Sequence, residues 1–285
     1  MSSGEPRAED DTPHRPDPFE VDGVRLFSLR QVNNLPRVTK ESIYRGLIPN
    51  DLLRAFNIDG DTLCDAQGNS LATIHCPSGT RLVEIELRHE IGFPDPLLYL
   101  ELADTRLNQI EVLLFVVNDP HSERFETDRD WQRARTKFGT VKRNEPEEER
   151  AWAVGLAPGQ VRKGLRLSRT QLPIFERFVS RLGHDYYLLE PLAYHNAVIF
   201  ERLGCNYVQG LRKMRWIDLA FQSGGLLRGA LDDSTPFRCA DAWRTVRGRS
   251  WAIHDGVLGE RWHGVRMYKQ VGKHAGLDTF PGGPY

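Results

Sequence analysis

The stretch HDYYLLEPLAYHNAVIFERLGCNYVQG, residues 184–210, changes its hydrophobic period twice. HDYYLLEPL (184–192) is an aromatic and aliphatic run closed by a proline, which reads as a strand. AVIFERLG (197–204) carries apolar residues at helical spacing and stops on Gly204, the residue type that most readily takes the left-handed backbone that closes a helix. NYVQG (206–210) then reads as strand again. Asn196 stands at the head of the helix, where its side chain is a candidate N-cap, within a polar Tyr194-His195-Asn196 cluster. Strand, helix and strand in such short order require neighbouring strands joined by crossovers, and that makes the fold class α/β.

Reading outward supports the same class. LSRTQLPIFERFVSRLG (167–183) predicts an amphipathic helix with Leu172, Phe175, Phe178, Val179 and Leu182 on one side and Gly183 as its stop. AWAVGL (151–156) predicts a buried strand. PLLYLELADTRLNQIEVLLFVVNDP (96–120) predicts two long strands joined near Asp104-Thr105-Arg106, and RLVEIELRHE (81–90) alternates as a half-buried strand does. GVRLFSL (23–29) suggests a strand, and SIYRGLIPNDLLRAFNI (42–58) suggests helices interrupted at Pro49. The expected architecture is a mixed central sheet flanked by helices, mostly antiparallel and turning parallel around 151–210. In it, 152–157, 185–190 and 206–210 are neighbouring strands. Residues 1–18 are expected to be a disordered tail, 19–150 a β-rich half with a charged excursion at 121–150, and 211–285 an extension packed on the same domain.

Composition narrows the function classes. A net charge of −1 over 285 residues gives no global pull toward nucleic acid or an anionic surface. No apolar run approaches the roughly 20 residues of a membrane span, and the N-terminus lacks a hydrophobic leader, so the expectation is a cytoplasmic protein. Cys64, Cys76, Cys205 and Cys239 are scattered without a C-x-x-C pair, which favours reduced thiols over a disulfide framework or zinc knuckle.

GLAPGQVRKGLRLS (155–168) adds the chemistry. A loop with Gly, Gln, Arg162 and Lys163 leading into a helix aims backbone amides at the helix's positive end, a good place for a phosphate group. Together with the opening stretch it resembles the GCN5-related N-acetyltransferase superfamily. In that family a strand ends in a proline, an Arg/Gln-x-x-Gly-x-Gly/Ala loop binds the acyl-CoA pyrophosphate, and an asparagine precedes a helix of the type Tyr-Glu-x-x-Gly-Phe. Pro158, Lys163 and Gly164 match the first pattern and Phe200-Glu201-Arg202-Leu203-Gly204-Cys205 the second. The resemblance covers residues 151–210. It implies an acyl-CoA N-acyltransferase-like fold and an acyl-CoA-dependent N-acyltransferase, with acetyl-CoA or another acyl-CoA as substrate and a small-molecule or peptide amine as acceptor. The implied acyl-CoA contacts are Ala157, Gln160, Val161, Arg162, Lys163, Gly164, Leu165, Asn196 and Phe200.

Departures from the family pattern define an alternative. Arg166 replaces the second loop glycine, and Phe200 replaces the tyrosine that protonates the leaving thiolate. A phenyl ring cannot do so, which leaves Tyr194 or Tyr207 for that task, or a reaction that dispenses with a protein acid. Glu190, at the end of a strand where the family's splayed sheet opens its cleft, and the nearby His195 are the candidate bases. The alternative is a catalytically silent module binding CoA, an acyl ligand or a protein partner. In 229–276 the aromatic and arginine-rich composition suits a substrate-facing lid or an intersubunit surface, and a homodimer is among the partner expectations. Residues 250–256 suggest a strand running into a turn, and a metal-dependent hydrolase built on His254 and Asp255 is the weakest reading, since no close ligand spacing supports it. No metal is expected.

Overall fold

A computed structural model describes residues 16–130, 132, 134–136 and 143–285; most of the expected tail at 1–18 and part of the excursion at 121–150 lie outside the described residues. The chain runs through β1 (Glu20–Val21), β2 (Val24–Arg25), α1 (Leu29–Asn33), α2 (Arg37–Arg45), α3 (Asn50–Ala55), β3 (Ala72–His75) and β4 (Leu82–Leu87). It continues with β5 (Leu98–Asp104), β6 (Ile110–Val117), α4 (Glu145–Ala153), α5 (Ser168–Arg181), β7 (Tyr186–Leu189), α6 (Tyr194–Arg202) and β8 (Asn206–Gln209). The last elements are α7 (Leu211–Ala220), α8 (Leu226–Gly229), α9 (Val246–His254) and β9 (Arg266–Gln270). β1 and β2 form a small hairpin, and the other strands form one sheet in the order β3-β4-β5-β6-β7-β9-β8. Every neighbouring pair in that sheet is antiparallel except β6 and β7. The fold is mixed α/β.

Alternation decides which face is covered. Val83, Ile85, Leu87, Leu98, Leu100 and Leu102 are buried on one face, while Glu84, Glu86, Tyr99 and Glu101 stay half-exposed on the other. Helices gather on the apolar face. The Leu29 and Arg30 amides at the start of α1 donate to Asp104 at 2.9 and 2.8 Å. Phe175 of α5 packs edge-on against Phe115 and Tyr187, and Tyr44 of α2 meets Phe178 of α5. On the same face, the Tyr207 hydroxyl of β8 donates to Glu201 of α6.

Four sequence expectations are corrected. Only Val24–Arg25 of 23–29 is strand, because the Ser28 hydroxyl accepts from the Gln31 amide and starts α1. Residues 151–156 are not a strand: Ala151–Ala153 end α4, which begins with Glu145, Pro146, Glu147 and Glu148, groups that suit a helix N-terminus. The strands at 186–189 and 206–209 are therefore not neighbours of a 152–157 strand, nor of each other, since β9 lies between them. Residues 211–285, besides packing on the domain, give the sheet one of its own strands, β9. Finally, 250–256 is the end of α9 with Asp255 at its C-cap.

Gly204 shows why α6 stops where it does. Its φ is +84°, and a Cβ there would lie 2.7 Å from the His274 ring and 2.9 Å from the His274 Cα. The C-terminal segment crosses at this point, and Ala275 N donates to Gly204 O at 3.1 Å. Gly204→Ala is expected to cost about 1–3 kcal/mol of stability, read as a lowered urea midpoint; an unchanged midpoint refutes the close approach.

Candidate functional site

β6 is the middle strand of seven, yet only Ile110 along it is buried; Glu111, Val112 and Leu114 to Val117 are half-exposed and Leu113 is exposed. The cause is its brief pairing with β7, limited to Glu111 opposite Leu188 and Val112 opposite Leu189. β7 ends there, because Glu190 and Pro191 lead straight into α6 and a proline has no N–H to continue a ladder. Beyond Val112 the second edge of β6 pairs with no strand among the described residues. A bulge at Leu113, where the partners shift from Leu102–Val112 to Glu101–Leu114, marks the same point. The result is an apolar stretch of strand whose second edge no strand covers among the described residues, at the carboxyl ends of a parallel pair, the place of the ligand-binding cleft in open α/β sheets.

The N-terminus of α5 closes one end of this cleft. Its N-cap, Leu167, offers no side-chain hydrogen bond, and no acid lies in the first turn. The loop before it lies against the end of β6: a Cβ on Gly164 would lie 3.3 Å from Val117 O, and Asp119 N donates to Lys163 O at 2.7 Å. Lys163, Arg166 and Arg169 are exposed around this terminus, and none forms an ion pair among the described residues. Arg166 takes φ +56°, a backbone that glycine adopts more easily. An uncapped helix N-terminus with three exposed cations close by in the chain suits an anion.

The other expected contacts divide. Lys163, Gly164 and Leu165 reach the α5 terminus. Ala157, Gln160, Val161 and Arg162 are tied instead into the preceding loop: Ala157 N donates to Gln160 Oε1 at 2.7 Å, and Phe125 N donates to Val161 O at 2.8 Å. Arg162 is buried, donates to Asp95 Oδ2 at 2.7 Å and lies 5.0 Å from the Phe93 ring, so its charge is neutralised within the protein. Asn196 is not the cap of α6, which is Ala193; it sits half-buried in the first turn with no capping bond. Phe200, one turn on, packs against the core.

Of the expected catalytic residues, Glu190 is exposed where β7 ends, with no hydrogen bond or ion pair among the described residues. Tyr194 and His195 turn inward to α9. The Tyr194 hydroxyl is 3.5 Å from Arg249 Nη1, and burial pushes the phenol up to about 12. His195 Nδ1 lies 2.9 Å from Ser250 Oγ, and burial, with His254 and Arg247 nearby, pushes the imidazole down to about 3. So weak a base does not take a proton from an ammonium group. Tyr207 is held by Glu201, which also accepts from the Thr279 amide and hydroxyl at 2.8 Å and so anchors the C-terminal segment.

His254 and Asp255 belong to a clamp. Arg143 donates to Glu148 at 2.7 Å and to Asp255 at 2.9 Å, Arg238 donates to Asp255 at 2.7 Å, and His254 Nε2 is 3.1 Å from Glu148. Burial raises the Asp255 carboxyl, but hydrogen bonds from Arg143, Thr235 and Arg238 outweigh it and hold it below its ordinary value. Among the described residues, no three His, Cys, Asp or Glu side chains gather as a metal site, and no helix is long and apolar enough to cross a membrane. A shallow depression of about 190 Å³ beside Thr73, Glu86 and Arg88 lies at the far edge of the sheet, away from the cleft. Sequence reading missed the free edge of β6, whose LLFVV run looks like any buried strand. It also read Arg166 only as a departure from the loop pattern and passed over Arg169, although two arginines three apart at a helix start, with no acid beside them, were a visible signal.

Because the folded chain holds His195 neutral down to about pH 3 while the unfolded chain protonates it at the usual value, acid favours unfolding. The contribution of His195 is complete above roughly pH 6.5 and is lost progressively below it. His195→Gln is expected to flatten the fall of the urea midpoint between neutral and acid pH; identical slopes in both proteins refute the neutral burial.

Comparison with protein-family models, with curated proteins and with solved structures finds no significant match. The geometry of the cleft therefore carries the functional reading.

Proposed function

We propose that this chain is an acyl-CoA-dependent N-acyltransferase acting on an amine. One observation carries the reading: the free edge of β6 meets the cation-ringed N-terminus of α5 at the mouth of one cleft. A CoA thioester has matching chemistry, a pyrophosphate at one end and an extended arm with two amides leading to the thioester. Lys163, Arg166, Arg169 and the first-turn amides of α5 hold the phosphates, and the edge of β6 beyond Val112 pairs with the arm's amides as an added strand does. The thioester then lies toward Glu190 and the first turn of α6.

In the reaction a neutral amine attacks the thioester carbonyl, a C–N bond forms, the C–S bond breaks, and the electron pair leaves with sulfur. Glu190 accepts the proton lost by the amine, directly or through water. With Tyr194 facing Arg249 and Tyr207 held by Glu201, the leaving thiolate takes its proton from solvent. Aminolysis of a thioester depends chiefly on positioning, so a missing acid slows the step without abolishing it. A second reading, a silent module binding CoA or an acyl ligand, is favoured by the inward turn of Tyr194 and His195 and by Phe200.

Calorimetric titration with CoA separates these readings. Binding is expected, and Lys163→Ala/Arg166→Ala/Arg169→Ala should weaken it by about 1.5–4 kcal/mol, ten- to a thousandfold. Titrations that show no CoA binding to the unaltered chain defeat the acyl-CoA reading. In a thiol-release assay over an amine panel, Glu190→Gln should lower turnover by roughly 10²–10⁴-fold with CoA affinity unchanged. CoA binding without acylation of any amine establishes the silent module instead.

A further inference from the structure

α7 buries Met214, Ile217 and Ala220 and turns Arg212, Arg215, Trp216 and Leu219 outward. Their spacing of three, one and three places them on a single stripe of the helix. Leu226, at the start of α8, extends it: Gly225 lies under the last turn of α7, where a Cβ would be 2.9 Å from Leu219 O. Trp216, Leu219 and Leu226 are 44%, 69% and 75% exposed, three large apolar side chains in water on neighbouring turns of backbone. Arg212 and Arg215 form no ion pair among the described residues. No acid shares the stripe, because Asp218 turns inward to Arg249 at 2.8 Å. Lys213 beside it lies 5.6 Å from the Trp262 ring and pairs with Glu260, and Arg261 next to that pair is exposed.

We propose that the α7–α8 stripe is a docking surface for an anionic lipid bilayer. The charge is complementary: unpaired guanidiniums meet lipid phosphates while Trp216, Leu219 and Leu226 enter the boundary between headgroups and acyl chains. Tryptophan is favoured at that boundary because one end of its ring is apolar and the other donates a hydrogen bond. A second copy of this chain is a poor occupant, since a two-fold contact through the stripe sets arginines against arginines. The role of this surface does not depend on acyl transfer.

Co-sedimentation of the full chain with phosphatidylglycerol-containing vesicles, against pure phosphatidylcholine vesicles, tests this. Binding to the anionic vesicles is expected at low salt and is lost at high salt. Arg212→Glu/Arg215→Glu should weaken it at least about tenfold, and Leu219→Ser/Leu226→Ser should weaken it in like manner. Both variants change only exposed positions, so their thermal midpoints should match that of the unaltered chain. Brominated lipid should quench part of the tryptophan fluorescence, and Trp216→Phe should remove that part. Variants that bind as the unaltered chain does overturn the proposal. So does a chain that ignores anionic vesicles, including one that instead binds an acidic peptide through Arg212 and Arg215.

Discussion

Two pairs of residues, Glu111 with Leu188 and Val112 with Leu189, join the meander of β3 to β6 to the rest of the sheet. That short parallel contact sets the shape of the site. A longer ladder would bury the end of β6 like any central strand; a missing one would split the sheet. β7 is held to four residues because Glu190-Pro191 turns the chain into α6, and β6 runs on alone. The backbone groups left over pair with no strand among the described residues.

Holding the sheet together across so brief a junction falls to groups far away in sequence. β9 enters between β7 and β8 and pairs with both. Buried Lys269 on β9 reaches Glu176 on α5 at 2.6 Å, tying the strand to the crossover helix. Arg266 reaches over β7 to Glu111 on β6 at 2.8 Å, bracing the parallel junction itself. The clamp of Arg143, Glu148, Arg238 and Asp255 ties α4 to α9, and the Trp251 indole donates to Leu156 O at 2.8 Å beneath it. Removing one partner from such a buried set strands the other charge, so these groups act as a unit.

Where a property depends on neighbours in the chain, it was legible. The alternation of Leu82 to Leu87, the break at Pro49, the amphipathic face of α5 and the stop at Gly204 all follow from local periodicity and backbone preference. The error at 151–156 was also local. Ala-Trp-Ala-Val fits a short strand or a helix end equally well, and the acidic residues just before it decide for helix. The positions of Lys163, Gly164 and Glu190 in the fold were legible because a loop before a helix and a residue after a strand have predictable places.

The sequence by itself determined that this chain alternates strand and helix, which segments are amphipathic, and that cations crowd the start of α5. Tertiary structure alone decided that β9 separates β7 from β8, that β6 keeps a free edge, and that Arg162, Tyr194 and His195 face inward. The physical reason is one of range. Helix periodicity, caps and strand alternation are written in residues a few positions apart. Strand partners, and the burial that neutralises Arg162 against Asp95 or holds His195 uncharged beside Ser250, join residues tens of positions apart. No local pattern encodes those meetings.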